Sequence, residues 1–70
     1  MDAKTFIDTY GWDEAVRVAK QAGTTREYLY QIANGYRNAS PGLARRLVDA
    51  SDQRLDFMSL VMSTESRRTA

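Results

Sequence analysis

Residues Ala15–Asn34 read AVRVAKQAGTTREYLYQIAN, and this stretch decides the fold. Ala15, Val18, Ala19 and Ala22 recur at i, i+3, i+4 and i+7, the spacing of one buried helix face. Their small side chains let a neighbouring helix approach closely. Gly23 follows at the point where a helix closes on a left-handed residue, a conformation that costs glycine least. Thr24 and Glu27 then have the Thr-x-x-Glu spacing of a capping box, so a second helix is predicted to open at Thr24. At about 100° per residue, Thr25, Leu29, Ile32 and Tyr36 fall on one side, the expected core side. Arg26, Glu27, Tyr30, Gln31 and Asn34 fall within about 140° on the other. Two helices joined by a tight turn, the second with a polar outer face, form the layout of a helix-turn-helix.

The flanking sequence extends the same pattern. Ala3, Phe6, Ile7 and Tyr10 predict a short first helix with one apolar face, capped by Asp2 and ended by Gly11. Trp12 precedes Asp13 and Glu14, acids that suit the first turn of the next helix. Asn34-Gly35 ends the helix that began at Thr24, and Tyr36 to Ala39 form a short polar loop. Ser40-Pro41 supplies a capping hydroxyl and a proline at the first helical position. Leu43, Ala44, Leu47 and Val48 give that helix its buried stripe, with Arg45, Arg46 and Asp49 outward. Asp52 is the expected cap of a last short helix holding Leu55, Phe57, Met58, Leu60, Val61 and Met62. A strand is the alternative there, because the run has no clean period. Residues 63–70 are polar and are expected to be a disordered tail. The expectation is an all-α domain of four to five short helices over residues 1–62, with residues 52–62 as a dimerisation segment.

Seventy residues make one small domain, and a chain this short buries only about 60% of its unfolded surface. With no cysteine and no histidine, it lacks disulfides, thiolate or imidazole metal ligands, and the commonest general base. Neither a glycine-rich phosphate loop nor a paired-carboxylate cleft is evident, since Asp13 and Glu14 are adjacent and diverge on a helix. An enzyme, a metal site, a cofactor and a small-molecule substrate are therefore not expected. No apolar run reaches membrane-spanning length, and no signal peptide is seen. The absence of cysteine fits a reducing cytoplasm.

The net charge of +1 conceals an asymmetry. From Ala15 to Arg46 there are six basic residues (Arg17, Lys20, Arg26, Arg37, Arg45 and Arg46) and one acid, Glu27, a balance of +5. The rest of the chain has four basic residues and eight acids, a balance of −4. A basic centre between acidic ends points to one surface that faces a polyanion.

The run Gly23 to Gly35 (GTTREYLYQIANG) resembles the turn and recognition helix of phage Cro and repressor proteins, closest to the short Cro-like and YdaS-like bacterial regulators. Ser40 to Leu47 (SPGLARRL) is similar to the helix that follows in those proteins. The resemblance covers roughly residues 10 to 50. It implies a lambda-repressor-like helical domain, a phage or prophage repressor that binds double-stranded operator DNA as a homodimer in the bacterial cytoplasm or nucleoid. By position, Thr25, Arg26, Glu27 and Gln31 match residues that touch bases, and Asn34, Tyr36, Arg37 and Asn38 match positions near phosphates. Two departures stand out. The glutamine that often grips phosphate early in the second helix is Ala15 here. Glu27 stands where many relatives have a neutral amide, and it is read as the capping-box partner in preference to an acceptor from cytosine N4.

The chemistry of these side chains fits the expected roles. Arg26, near the helix start, can donate two hydrogen bonds to guanine O6 and N7, and Gln31 can pair with adenine N6 and N7. Tyr30 can pack on a thymine methyl or donate to a phosphate. Lys20, Arg37 and Asn38 are expected to hold phosphates, with Arg45 and Arg46 as further backbone candidates. Tyr28 is assigned to packing. Leu55, Phe57, Met58, Val61 and Met62 are the expected dimer surface, since two such domains are needed to read two half-sites. The competing reading is a protein-interaction module, such as an antitoxin or an inhibitor of a host protein, built on the same scaffold.

Overall fold

The structure, a computed structural model, describes residues 1–62. They form five helices with no strand among the described residues: α1 (Ala3–Tyr10), α2 (Trp12–Gln21), α3 (Arg26–Ala33), α4 (Pro41–Ala50) and α5 (57–62). The expected all-α, helix-turn-helix class is what the chain adopts. The tail expected over residues 63–70 lies outside the described residues.

The local signals account for most boundaries. The Asp2 carboxylate accepts from the Thr5 N–H at 2.8 Å, which starts α1. Gly11, at φ +88°, ends α1 and turns directly into α2. At the end of α2, the Gly23 N–H donates to the Lys20 carbonyl at 3.1 Å and the Thr24 N–H to the Ala19 carbonyl at 2.9 Å, with Gly23 at φ +83°. These two bonds make a Schellman ending. They also correct the expected capping box. The Thr24 N–H already closes α2, so Glu27 has no donor there to reach. The cap passes to Thr25, whose hydroxyl accepts from the Tyr28 N–H at 3.1 Å. The helix α3 closes the same way at Gly35 (φ +78°), and the Ser40 hydroxyl caps α4 with Pro41 at its first position.

The last segment is a helix, and its cap is not Asp52. Asp52 and Gln53 both have positive φ, +55° and +64°. Their N–H groups donate to the Asp49 and Val48 carbonyls, so they close α4 instead of opening α5. Asp56 takes the capping role, with its carboxylate accepting from the Ser59 N–H at 2.9 Å.

The helix α2 lies at the centre, packed on α1, α3 and α4. Phe6, Val18, Leu29, Ile32, Leu47 and Leu60 are fully buried between them, and Ala15, Ala19 and Ala44 let the helices meet closely. Three expected core residues lie outside: Tyr10 is 42% exposed at the end of α1, Thr25 is exposed at the start of α3, and Tyr36, beyond the end of α3, is 71% exposed. Leu55 is 3% exposed, inside the core of its own chain, and so leaves the expected dimer surface.

Residues 51–60 tie the N-terminus and the loop before α4 together. The Met1 ammonium donates to the Arg54 carbonyl at 3.0 Å, the Asp56 N–H to the Met1 carbonyl at 2.8 Å, and the Ala39 N–H to the Leu60 carbonyl at 3.0 Å. Ser51 is fully buried, and its hydroxyl donates to the Val48 carbonyl and accepts from the Leu55 N–H. The Arg54 guanidinium bonds Glu14 at 2.6 Å and the Ser51 carbonyl at 2.6 Å, and lies over the rings of Tyr10 and Phe6.

Candidate nucleic-acid interface

The helix α3 has two unlike faces. Leu29, Ile32 and Ala33 are buried, while Arg26, Glu27 and Tyr30 are exposed and Gln31 and Asn34 are half-exposed on its flank. The outer face lets polar side chains leave the helix without disturbing the core. Thr25 sits exposed at the N-terminal end, with its hydroxyl oxygen held by the cap. Glu27, released from the expected box, makes no ion pair among the described residues.

Aromatic rings meet two arginines beside α3, one at its start and one from the loop that follows it. The Arg26 guanidinium carbon lies 4.4 Å from the Trp12 ring centroid, and Tyr30 stands on the same indole at 6.4 Å with a 33° tilt. Beyond the other end of the helix, Arg37 lies 4.8 Å from the Tyr28 ring. A guanidinium held over an aromatic ring keeps N–H donors available to an acceptor. Tyr28, expected as packing, is half-buried and carries this second stack.

The remaining expected contacts are less concentrated. The Asn34 amide nitrogen donates to the Tyr30 carbonyl at 2.9 Å, which turns it back onto its own helix end. Tyr36, Arg37 and Asn38 lie exposed in the following loop. Lys20 is exposed in the last turn of α2, where its charge also suits the helix dipole. Arg46, expected to point only outward, donates through Nε to the Ala22 carbonyl at 2.9 Å and holds α4 against the end of α2. Arg45 lies 6.0 Å from the Phe57 ring centroid. On the expected dimer surface, Met58 (56% exposed) and Met62 (40%) are open to solvent, while Phe57 and Val61 are half-buried against the core.

Trp12 is the residue sequence reasoning missed. Its neighbours in the chain mark it only as the start of α2, and nothing in helical spacing pairs it with Arg26 across the turn. A cavity of about 130 Å³ opens beside it, lined by Lys4, Ile7, Asp8, Trp12, Tyr30, Ala33 and Asn34. Elsewhere, Glu14 chelates Arg17 through Nε and Nη2 at 2.9 and 2.7 Å and also meets Arg54. The Arg17 and Arg54 guanidinium groups hold its carboxyl well below its ordinary value of 4.5, at about 2. Arg17 is thereby partnered within the molecule. Among the described residues, no helix is long and apolar enough to cross a membrane. Compared with family models, curated proteins and solved structures, the chain has no match.

Proposed function

We propose that the chain is a sequence-specific DNA-binding regulator of the Cro or repressor type, acting in a bacterial cytoplasm or nucleoid with α3 as the recognition helix. The observation that carries this reading is the split of α3 into a buried apolar face and an exposed polar face, immediately after a tight turn from α2. The face is about the size of a base-reading surface. An eight-residue helix is about 12 Å long, and in this reading its first turn offers Arg26 and Glu27 to base edges. In this reading Arg26 reads a guanine, Gln31 an adenine, and Glu27, with no capping duty, accepts from cytosine N4. Thr25 and Tyr30 add apolar contacts to bases. Lys20, Asn34, Tyr36, Arg37 and Asn38 hold phosphates and set the register without reading sequence. A second copy meets the first through Met58 and Met62, with Phe57 and Val61 behind them, and the pair reads a palindrome.

The second reading is a protein-interaction module, such as an antitoxin or an inhibitor of a host protein. It is favoured by Asp8 and Asp13, exposed acids beside Trp12 that a phosphate backbone would repel. Selection from a random duplex library, followed by titration at two salt concentrations, separates the two. DNA reading predicts a short enriched palindrome bound with a steep salt dependence and well above random DNA. Absence of enrichment, with only weak salt-sensitive binding, favours the protein partner.

A further inference from the structure

The stack of Arg26 on Trp12 is more than surface packing. Trp12 is half-buried, packed against the core in the first turn of α2, so the position of its ring is set by the fold. Tyr30 stands on the same ring at 6.4 Å and further restricts it. Arg26 is exposed at the first position of α3 and makes no ion pair among the described residues. Its guanidinium carbon lies 4.4 Å from the indole centroid. A guanidinium held over a ring keeps N–H donors available to a further acceptor.

We propose that Trp12 is a positioning residue for Arg26: it holds the guanidinium in the plane and place from which it reads one base pair. This rests on the DNA reading above. The Arg37–Tyr28 contact, at 4.8 Å, provides an internal contrast, because Arg37 comes from the loop after α3 and is assigned above to a phosphate. Loss of the Trp12 ring therefore lowers discrimination at one base pair, while loss of the Tyr28 ring weakens all DNA alike.

The test uses the full chain, the duplex enriched by selection, its single-base-pair variants and a random duplex. Trp12→Leu is expected to lower discrimination at the Arg26 base pair by about three- to tenfold, the scale of a partly exposed cation–π contact. It is expected to have no such effect in an Arg26→Ala background, and Trp12→Phe should restore much of it. In the free protein, the Arg26 side-chain methylene protons should resonate upfield under the indole ring current and lose that shift in Trp12→Leu. Arg26→Lys keeps the charge without the planar fork, so it should lose the discrimination while keeping the salt slope; this variant carries the test if Trp12→Leu does not fold. The positioning role fails if Trp12→Leu weakens every duplex equally, if its effect adds to that of Arg26→Ala, if Arg26→Lys retains the discrimination, or if the upfield shift is missing in the wild type. If the wild-type chain selects no duplex, the DNA reading itself fails and the role falls with it. If it selects one and Trp12→Leu is indifferent to the base pair, only the positioning role falls.

Discussion

The turn between α2 and α3 and the segment from Ser51 to Met62 are both short, and both begin with the same hydrogen-bond pattern. At Gly23 the left-handed residue is glycine; at Asp52 and Gln53 it is two consecutive residues with side chains. The first turn is written locally, and the helix it releases leaves one face free. The second is held mainly by contacts from afar, with the chain terminus at Met1, the loop at Ala39, and Glu14, which accepts from Arg54; the buried hydroxyl of Ser51 adds local bonds. The difference teaches that the proposed recognition face sits where the backbone specifies itself, while the closing segment is specified by what it touches.

The largest break in this comparison is Leu60→Ala. Leu60 is fully buried on the short helix α5, so the substitution is expected to cost about 2–5 kcal/mol, enough to unfold much of so small a domain. Chemical denaturation measures it, and a loss below about 1 kcal/mol would show that α5 is not part of the core.

Next in size is Ser51→Ala. It leaves the buried Leu55 N–H without its acceptor, at an expected cost of about 1–3 kcal/mol in the same assay. An unchanged midpoint would mean that another group takes over the bond.

The two left-handed turns should respond with opposite sign. Gly23→Ala forces a side chain into φ +83° and costs about 1 kcal/mol, although open space surrounds the new Cβ. Gln53→Gly relieves φ +64° and gains up to about 1 kcal/mol. Thermal melts of both variants check this, and two shifts of the same sign would contradict it.

The smallest effect is a pH dependence. Glu14 is held at about 2, below its ordinary 4.5, by Arg17 and Arg54, so the folded state binds this proton less readily than the unfolded chain. Its contribution is fully present above pH 4.5 and is lost as the pH falls toward 2. Glu14→Gln should flatten the stability profile across that window while leaving it parallel to the wild type near neutrality. Equal acid sensitivity of the two proteins would remove Glu14 from the account.

Much of this arrangement is legible in the sequence where the signal is local. The caps at Asp2 and Ser40, the glycine endings at Gly23 and Gly35, and the buried alanine stripe of α2 all follow from neighbouring residues. The choice between Thr24 and Thr25 as the cap does not, because both are threonines and the deciding bond belongs to the preceding helix. The Asp56 cap is hidden for a similar reason: Asp52 is an equally good letter, and only the closure of α4 disqualifies it. The Trp12–Arg26 stack and the Arg54 cluster join residues from different elements, which no single period can reveal.

The central claim is that α3 reads bases through Arg26 while the following loop only grips the backbone. The most direct measurement titrates wild type, Arg26→Ala and Arg37→Ala against the selected duplex and random DNA at several salt concentrations. The account predicts that Arg26→Ala loses about 1–3 kcal/mol on the selected duplex and relaxes preference at one base pair. It predicts that Arg37→Ala weakens both duplexes alike and lowers the salt slope by about one. Equal losses from Arg26→Ala on selected and random DNA would contradict it.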